Sequence, residues 1–333
     1  MPLPRREALD QLWRILSVLL REVPPRDVLA ILFPPALGYE ILKGRTGAEP
    51  LPSGDYDPSL PDPALFGPVL EFARWLSVNW FHASVWDAER VPAEGPVLLV
   101  GNHSAGLMPV DALFAIDAIQ KLQGPGRAVH PLVHDFAFQA PRMALHARRM
   151  GILRAGRENA AAALADGRIV LVYPGGDRDA FRSFHDRNRI VLAGRTGFVE
   201  LAMAHGVPIV PLVSVGLHES LFVVTSGERI AERLDLKRRL RTEVLPLALM
   251  FPWGLAPAAM PFLPLPTDIE MRFGEPIAVE GEPGDEAAVA EGYRRVETAM
   301  QAMMDELSAG RTPIFGRAPS RRTTPPAEGG SLP

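Results

Sequence analysis

A chain of 333 residues, 47% of them hydrophobic, is long enough to bury a substantial core as one large domain or two smaller ones. It has no cysteine, which rules out disulfides, thiolate metal ligands and a cysteine nucleophile, and which fits an intracellular setting. Its 35 basic and 39 acidic residues leave a net charge of −4, so a nucleic-acid partner is not expected.

The first apolar periodicity, Leu9 to Val23, predicts an amphipathic helix; Arg14 and Arg21 interrupt it, so it is not read as a signal peptide. A second apolar stretch, Val28 to Leu42, is broken by Pro34 and Pro35. Residues 44–63, GRTGAEPLPSGDYDPSLPDP, read as an irregular connection, which makes 1–63 a helical appendage and linker. A helix is predicted from Leu65 to Trp86. After it, strand and helix signals alternate: strand Val97 to Gly101, a helix opened by Pro109 and reaching Leu122, and strand Val129 to Val133. Next come helix Asn159 to Leu164, ended by Gly167, and strand Arg168 to Tyr173. Then follow a helix with Phe198, Leu201, Ala202 and His205 on one face, and strand Val207 to Val215.

Residues 244–267, VLPLALMFPWGLAPAAMPFLPLPT, are uncharged and long enough to span a bilayer, but six prolines exclude one regular helix. Arg233, Lys237, Arg238, Arg239 and Arg241 lie just upstream. A basic cluster beside an apolar segment suits attachment to an anionic membrane surface; a solvated helix followed by a core-covering loop is the alternative. Strand Ile269 to Phe273 and an amphipathic helix carrying Val289, Val296, Met300 and Leu307 close a domain of residues 64–309. The tail, 310–333, is expected to be disordered. Apolar strands separated by helices give an α/β fold class: a mixed, mostly parallel sheet flanked by helices, with the N-terminal helical appendage.

The chemistry centres on VLLVGNHSAGLMPVD, residues 97–111. As a nucleophile elbow around Ser104, with Asp177 and His218 as later acid and base, it would serve a serine hydrolase. The elbow's first glycine is here Asn102, whose side chain would crowd the turn. As an acid–base pair, His103 at a strand mouth would be oriented by Asp111 from the first turn of the next helix, where its charge suits the helix dipole. Asp117 is the other acid in reach, two turns further on. A loop histidine that only hydrogen-bonds backbone is the bland reading of the pair.

Downstream, Gly175 and Gly176 after a strand allow close backbone approach to a ligand, with Arg178 offering a fork for phosphate or carbonyl oxygen. Arg154 and Arg157 could complete a cationic wall. His130 and His134 sit four apart, but on a strand they would stand about 13 Å from each other, so no metal site is read there.

In this order the blocks resemble the glycerolipid acyltransferase superfamily, especially its monoacylglycerol and diacylglycerol acyltransferase-like branch. The blocks are Asn102-His103 followed by Asp111, then Gly151-Ile152-Leu153-Arg154 with Arg157, then Tyr173-Pro174-Gly175-Gly176-Asp177-Arg178-Asp179, and Gly206-Val207-Pro208-Ile209-Val210-Pro211. The likeness covers about residues 85–280. The family's common spacing has four residues between histidine and acid, whereas seven separate His103 from Asp111. The resemblance implies a membrane-associated O-acyltransferase that needs no cofactor beyond acyl-CoA, or another acyl thioester, as co-substrate. Its acceptor would be a lipid alcohol, with diacylglycerol, monoacylglycerol or a long-chain alcohol favoured over a lysophospholipid because Gly-Gly-Asp-Arg follows the proline. It further implies His103 and Asp111 as catalytic pair. Asn102, Arg154, Arg157, Gly175, Gly176 and Arg178 would bind substrate or stabilise an oxyanion, and the location would be cytoplasmic, peripheral to the inner face of a membrane. A serine hydrolase using Ser104, or a non-catalytic lipid-binding protein of the same fold, stays open as the alternative.

Overall fold

The structure, a computed structural model, describes residues 4–32, 39–43, 46–47, 51–104, 106, 110–240, 242–258, 260 and 262–316. Pro34, Pro35, Pro109, Arg241 and residues 317–333 of the predicted tail lie outside them.

A seven-stranded mixed sheet organises the chain. Its strands are β1 (Ser84–Trp86), β2 (Val97–Gly101), β3 (Val129–Val133), β4 (Leu153–Arg154), β5 (Ile169–Val172), β6 (Ile209–Val215) and β10 (Glu270–Phe273), in spatial order β1-β10-β6-β2-β5-β3-β4. From β6 to β4 all neighbours are parallel; β10 alone runs antiparallel to its neighbour β6. β2 is buried at all five positions, as a strand covered on both faces must be. Val97 and Leu99 face one layer, built from α3 (Pro63–Asn79) and α4 (Val110–Gln123). Leu98 and Val100 face the other, formed by α6 (Arg157–Ala165), α8 (Gly197–His205) and α11 (Glu286–Ser308). The period of two along β2 thus divides the core between two helical layers.

Local chemistry sets the helix ends. The Asp62 carboxylate accepts from the Ala64 N–H, with Pro63 opening α3. Asp285 caps α11 by accepting from Ala287 and Ala288, and Gly206 closes α8 at φ +60°. The predicted helix Leu65 to Trp86 is too long by one element. It stops at Asn79, and Ser84 to Trp86 pair in parallel with Glu270 to Arg272. His82 makes the turn between them at a left-handed φ of +41°.

The appendage is fastened rather than loose. α1 (Arg5–Glu22) packs on α3, where the Trp75 indole donates to the Ala8 carbonyl (2.8 Å). α2 (Pro25–Leu32) meets α5 (Pro141–Arg149) through Asp27, which accepts from His146 Nε2 (3.1 Å) and Arg142. The expected linker is a strap: Arg154 donates its N–H to Gly54 O (2.9 Å) and Tyr56 donates its own to Asn159 Oδ1 (3.1 Å). At the other end the expected tail is corrected for residues 311–316. The buried Arg311 guanidinium reaches Glu270 Oε1 (2.9 Å) and Asp268 O (2.6 Å), and Ile314 N–H donates to Glu219 Oε2 (2.6 Å).

The prolines of 244–267 do not give a loop alone. β8 (Leu247–Met250) and β9 (Gly254–Pro257) form an antiparallel hairpin, and β7 (Phe222–Thr225), which the sequence reading missed, adds beside β8 as a small second sheet. Among the described residues no helix is long and apolar enough to cross a membrane.

Candidate active site

The loops after β2, β5 and β6 meet at the carboxyl ends of the parallel strands, where open α/β sheets hold ligands. Gly101, the last residue of β2, is required there: a Cβ on it would lie 2.5 Å from Tyr173 Cε1. The tyrosine ring crosses the strand end and stacks on His103, with centroids 4.9 Å apart and planes 28° from parallel.

His103 is 22% exposed and Asp111 1%. Nδ1 of His103 and Oδ2 of Asp111 are 3.8 Å apart, both buried and, among the described residues, both without a hydrogen-bond partner. That is too long for a hydrogen bond, but catalytic hydrogen bonds commonly tighten only on substrate binding. The other carboxylate oxygen of Asp111 accepts from the Ala112 N–H (2.8 Å) in the first turn of α4, which fixes the side chain's direction. Since Nδ1 is buried, Nε2 is the nitrogen left to meet a substrate. Burial, and then the charge of Asp111, hold the Tyr173 phenol well above its ordinary value, so the ring lining this pair stays neutral. The rival acid is engaged elsewhere: Asp117 pairs with Arg74 (2.5 Å) and Lys121 (2.9 Å).

The backbone of His103 is held from both sides by α7 (Gly176–Ala180) and the turn after it. Its N–H donates to Asp179 Oδ2, and its carbonyl accepts from Arg182 Nη1 (2.7 Å). Arg182 also reaches Asp179 Oδ1 (2.6 Å), Asp179 O (2.7 Å) and Arg187 O (3.0 Å), with both ion-pair partners buried. Burial pushes the Asp179 carboxyl up to about 6, even with the arginine beside it. His218 donates from Nε2 to the Arg182 carbonyl (2.7 Å), and burial keeps that imidazole well below its ordinary value, hence neutral. The sequence reading missed Asp179 and Arg182 as site residues. The available signal was an acid and an arginine three apart after the glycine turn, a spacing that puts both on one helical face.

The remaining expected residues separate. Asn102, expected to bind substrate, is buried, donates to Ser214 O (3.0 Å) and accepts from Ser214 N–H (2.8 Å) on β6. The space free beside Gly175 and Gly176 belongs to the protein itself. A Cβ at Gly175 would lie 1.9 Å from Val191 O, and one at Gly176 2.2 Å from Arg195 Nη1. The amides of Gly176 and Arg178 are spent on Tyr173 O (3.1 Å) and Asp177 Oδ1 (3.1 Å). Arg178 turns outward to Glu243 Oε2 (2.7 Å), while Lys237 reaches Oε1 of the same carboxylate (2.6 Å). Arg154, at the end of β4, stands three strands from β2, roughly 14 Å at the usual strand spacing. It lies over the Phe138 ring, while Arg157 pairs with Glu200 (2.6 Å) on the surface.

Ser104 is fully buried, with its hydroxyl 3.4 Å from both the Asn102 amide and the Arg182 guanidinium. Neither partner is a base. Its expected helpers are engaged elsewhere, His218 on the Arg182 carbonyl and Asp177 on Thr242 Oγ1 (3.1 Å) and the Glu243 N–H (2.6 Å). The hydrolase arrangement does not form.

Known proteins were compared with this chain. An uncharacterised protein of Mycobacterium tuberculosis is 30% identical over 298 residues, covering 88% of this chain and 79% of that one. The "DGAT1/2-independent enzyme synthesizing storage lipids" of Homo sapiens is 27% identical over 236 residues, 68% of this chain and 63% of the human protein. The crystal structure of the 1-acyl-sn-glycerophosphate acyltransferase PlsC from Thermotoga maritima aligns with a TM-score of 0.46 at 16% identity, covering 91% of this chain and 99% of PlsC. Residues 72–306, which hold the sheet, the His103 and Asp111 pair and its backbone clamp, match the model described as diacylglycerol acyltransferase, and the chain belongs to that family.

Proposed function

We propose that this lipid acyltransferase moves a fatty acyl group from an acyl thioester, acyl-CoA in the simplest case, to the hydroxyl of a neutral lipid alcohol, with His103 as general base. The observation that carries the reading is the facing pair of unsatisfied buried atoms, His103 Nδ1 and Asp111 Oδ2. A proton on Nδ1 directed at Asp111 leaves Nε2 unprotonated toward the substrate. As the acceptor oxygen bonds to the thioester carbonyl carbon, its proton passes to Nε2, and Asp111 stabilises the imidazolium that results. Collapse of the tetrahedral adduct breaks the carbon–sulfur bond, and the departing thiolate takes the proton back. The thioester is already activated, so direct attack suffices and no acyl-enzyme is needed. Diacylglycerol, monoacylglycerol or a long-chain alcohol is the acceptor class, and the enzyme works from the cytoplasm at the inner face of a membrane.

Incubation with labelled acyl-CoA and a panel of lipid alcohols tests this. His103→Ala is expected to lower turnover by roughly 10²–10⁴-fold. The protein should stay folded, since the buried Nδ1 makes no hydrogen bond among the described residues. Turnover at the full rate in that variant, or labelling of Ser104 by a fluorophosphonate, overturns it.

A further inference from the structure

The small sheet has an outer face that stands exposed among the described residues. In β7 and β8 alternate residues point inward and are buried, Val223, Ala248 and Met250, against Ala180 and Phe181 of the His103 clamp segment. In a soluble protein the intervening residues of such a sheet are polar. Here they are Phe222, Val224, Leu249 and Phe251, joined by Trp253 and Leu255 from the hairpin turn and β9, all exposed; Phe251 and Leu255 are 64% and 63% exposed. The register places Phe222, Leu249 and Leu255 side by side across the three strands, so they form one patch.

The rim of this patch is mixed in charge with a small basic excess, Lys237 pairing with Glu243 and Arg238 with Asp235. Gly227, at φ +66°, lies against the Leu245 backbone and turns the chain from β7 into α9 (Glu228–Arg233) and then α10 (Leu236–Leu240). These helices expose Arg229, Arg233, Lys237 and Arg238, the last two with side chains 78% and 84% accessible. Glu228, Glu232 and Asp235 are the acids on the same segment, and Arg239 adds a further basic residue to its sequence. Ile230 and Leu234, four apart on α9, are exposed as well.

We propose that this face is the lipid-contacting surface of the enzyme, with the aromatic and leucine side chains entering the interfacial region of an anionic bilayer and the α9–α10 arginines meeting its phosphates. Charge complementarity selects this occupant: a flat apolar patch with a small basic excess on its rim matches an anionic headgroup layer over acyl chains. The chain's own tail is a poor cover, since residues 317–333 contain one large apolar residue, Leu332. The placement also serves the site. The inner side of the same sheet packs on the segment that grips His103, so docking would hold the catalytic loop on the order of 10 Å, one packed layer, from the surface where lipid alcohols reside. In that respect the inference rests on the acyl-transfer reading.

The test is co-sedimentation of the full chain with phosphatidylcholine vesicles, with and without phosphatidylglycerol, beside acyl transfer to a detergent-dispersed acceptor. The wild type is expected to bind, and more strongly when phosphatidylglycerol is present. L249S/F251S/W253S should lower partitioning by roughly tenfold or more on both vesicle types, while turnover in detergent stays within about twofold of wild type. R229E/R238E should remove the preference for phosphatidylglycerol. The proposal is overturned if the triple serine variant partitions like wild type, or if wild type ignores vesicles and sediments as a dimer that the same substitutions dissociate. Loss of the catalytic reading would show separately, as unchanged turnover in His103→Ala with vesicle binding intact.

Discussion

Two charge networks grow from one short segment, Asp177 to Arg182, and they differ in every physical respect. Asp179 and Arg182 point inward, are almost wholly excluded from water, and hold both backbone polar groups of His103. Asp177 and Arg178 point outward, into a half-exposed mesh with Glu243, Arg195 and Lys237. The inner pair has fixed geometry and replaces water with the His103 peptide, whereas the outer mesh keeps its hydration and can rearrange. Adjacent charges in sequence therefore do different work: one network holds the His103 backbone, and the other dresses a surface.

The comparison breaks most readily at Arg182. Arg182→Met leaves Asp179 buried without its partner and frees the His103 carbonyl, so a loss of about 3–5 kcal/mol is expected in urea denaturation. Any folded fraction should show lowered turnover. A loss under about 1 kcal/mol would mean the inner pair behaves like the outer one.

A next effect concerns pH. Asp179 binds its proton more tightly folded, at about 6, than unfolded, at the ordinary 3.8. The unfolded chain therefore holds fewer protons between these values. Stability contributed by this carboxyl is full below about pH 4 and falls as pH rises toward 6, by on the order of 3 kcal/mol. Denaturation at several pH values should show that descending segment, and Asp179→Asn should flatten it.

The smallest effect belongs to the outer mesh. Arg178→Ala is expected to change stability by less than about 1 kcal/mol, and less still in high salt. If it abolishes turnover while leaving the denaturation curve in place, the mesh contacts substrate and the division drawn between the networks fails.

The strands were legible where burial is strongest. Val97–Gly101 and Val129–Val133 were read to the residue, because strands covered on both faces are continuous apolar runs bounded by turn residues. The small sheet was not, since β7 has four residues and the prolines of 244–267 mask the β8–β9 hairpin, while β7 joins β8 by pairing distant in sequence. β1 was hidden for the same reason, being three residues whose only partner is β10. At the candidate site, type and position single out His103 and Asp111, and the structure places them 3.8 Å apart despite the longer gap in sequence. Arg178 drew attention because it follows the glycines. Only the turn at α7 reveals that Arg182 is the arginine that reaches the histidine.

Gly101 has a consequence for charge. By leaving no Cβ, it lets the Tyr173 ring lie flat against the imidazole of His103. A π face is nearly indifferent to a neutral imidazole and attracts an imidazolium. Under the proposed general-base reading, the ring would contribute mainly after the acceptor's proton has moved, as a transition-state contact rather than a binding one. Tyr173→Leu should accordingly lower kcat by roughly fivefold, about 1 kcal/mol, with KM little changed. A glycine at the end of a strand thereby decides how well the site tolerates positive charge.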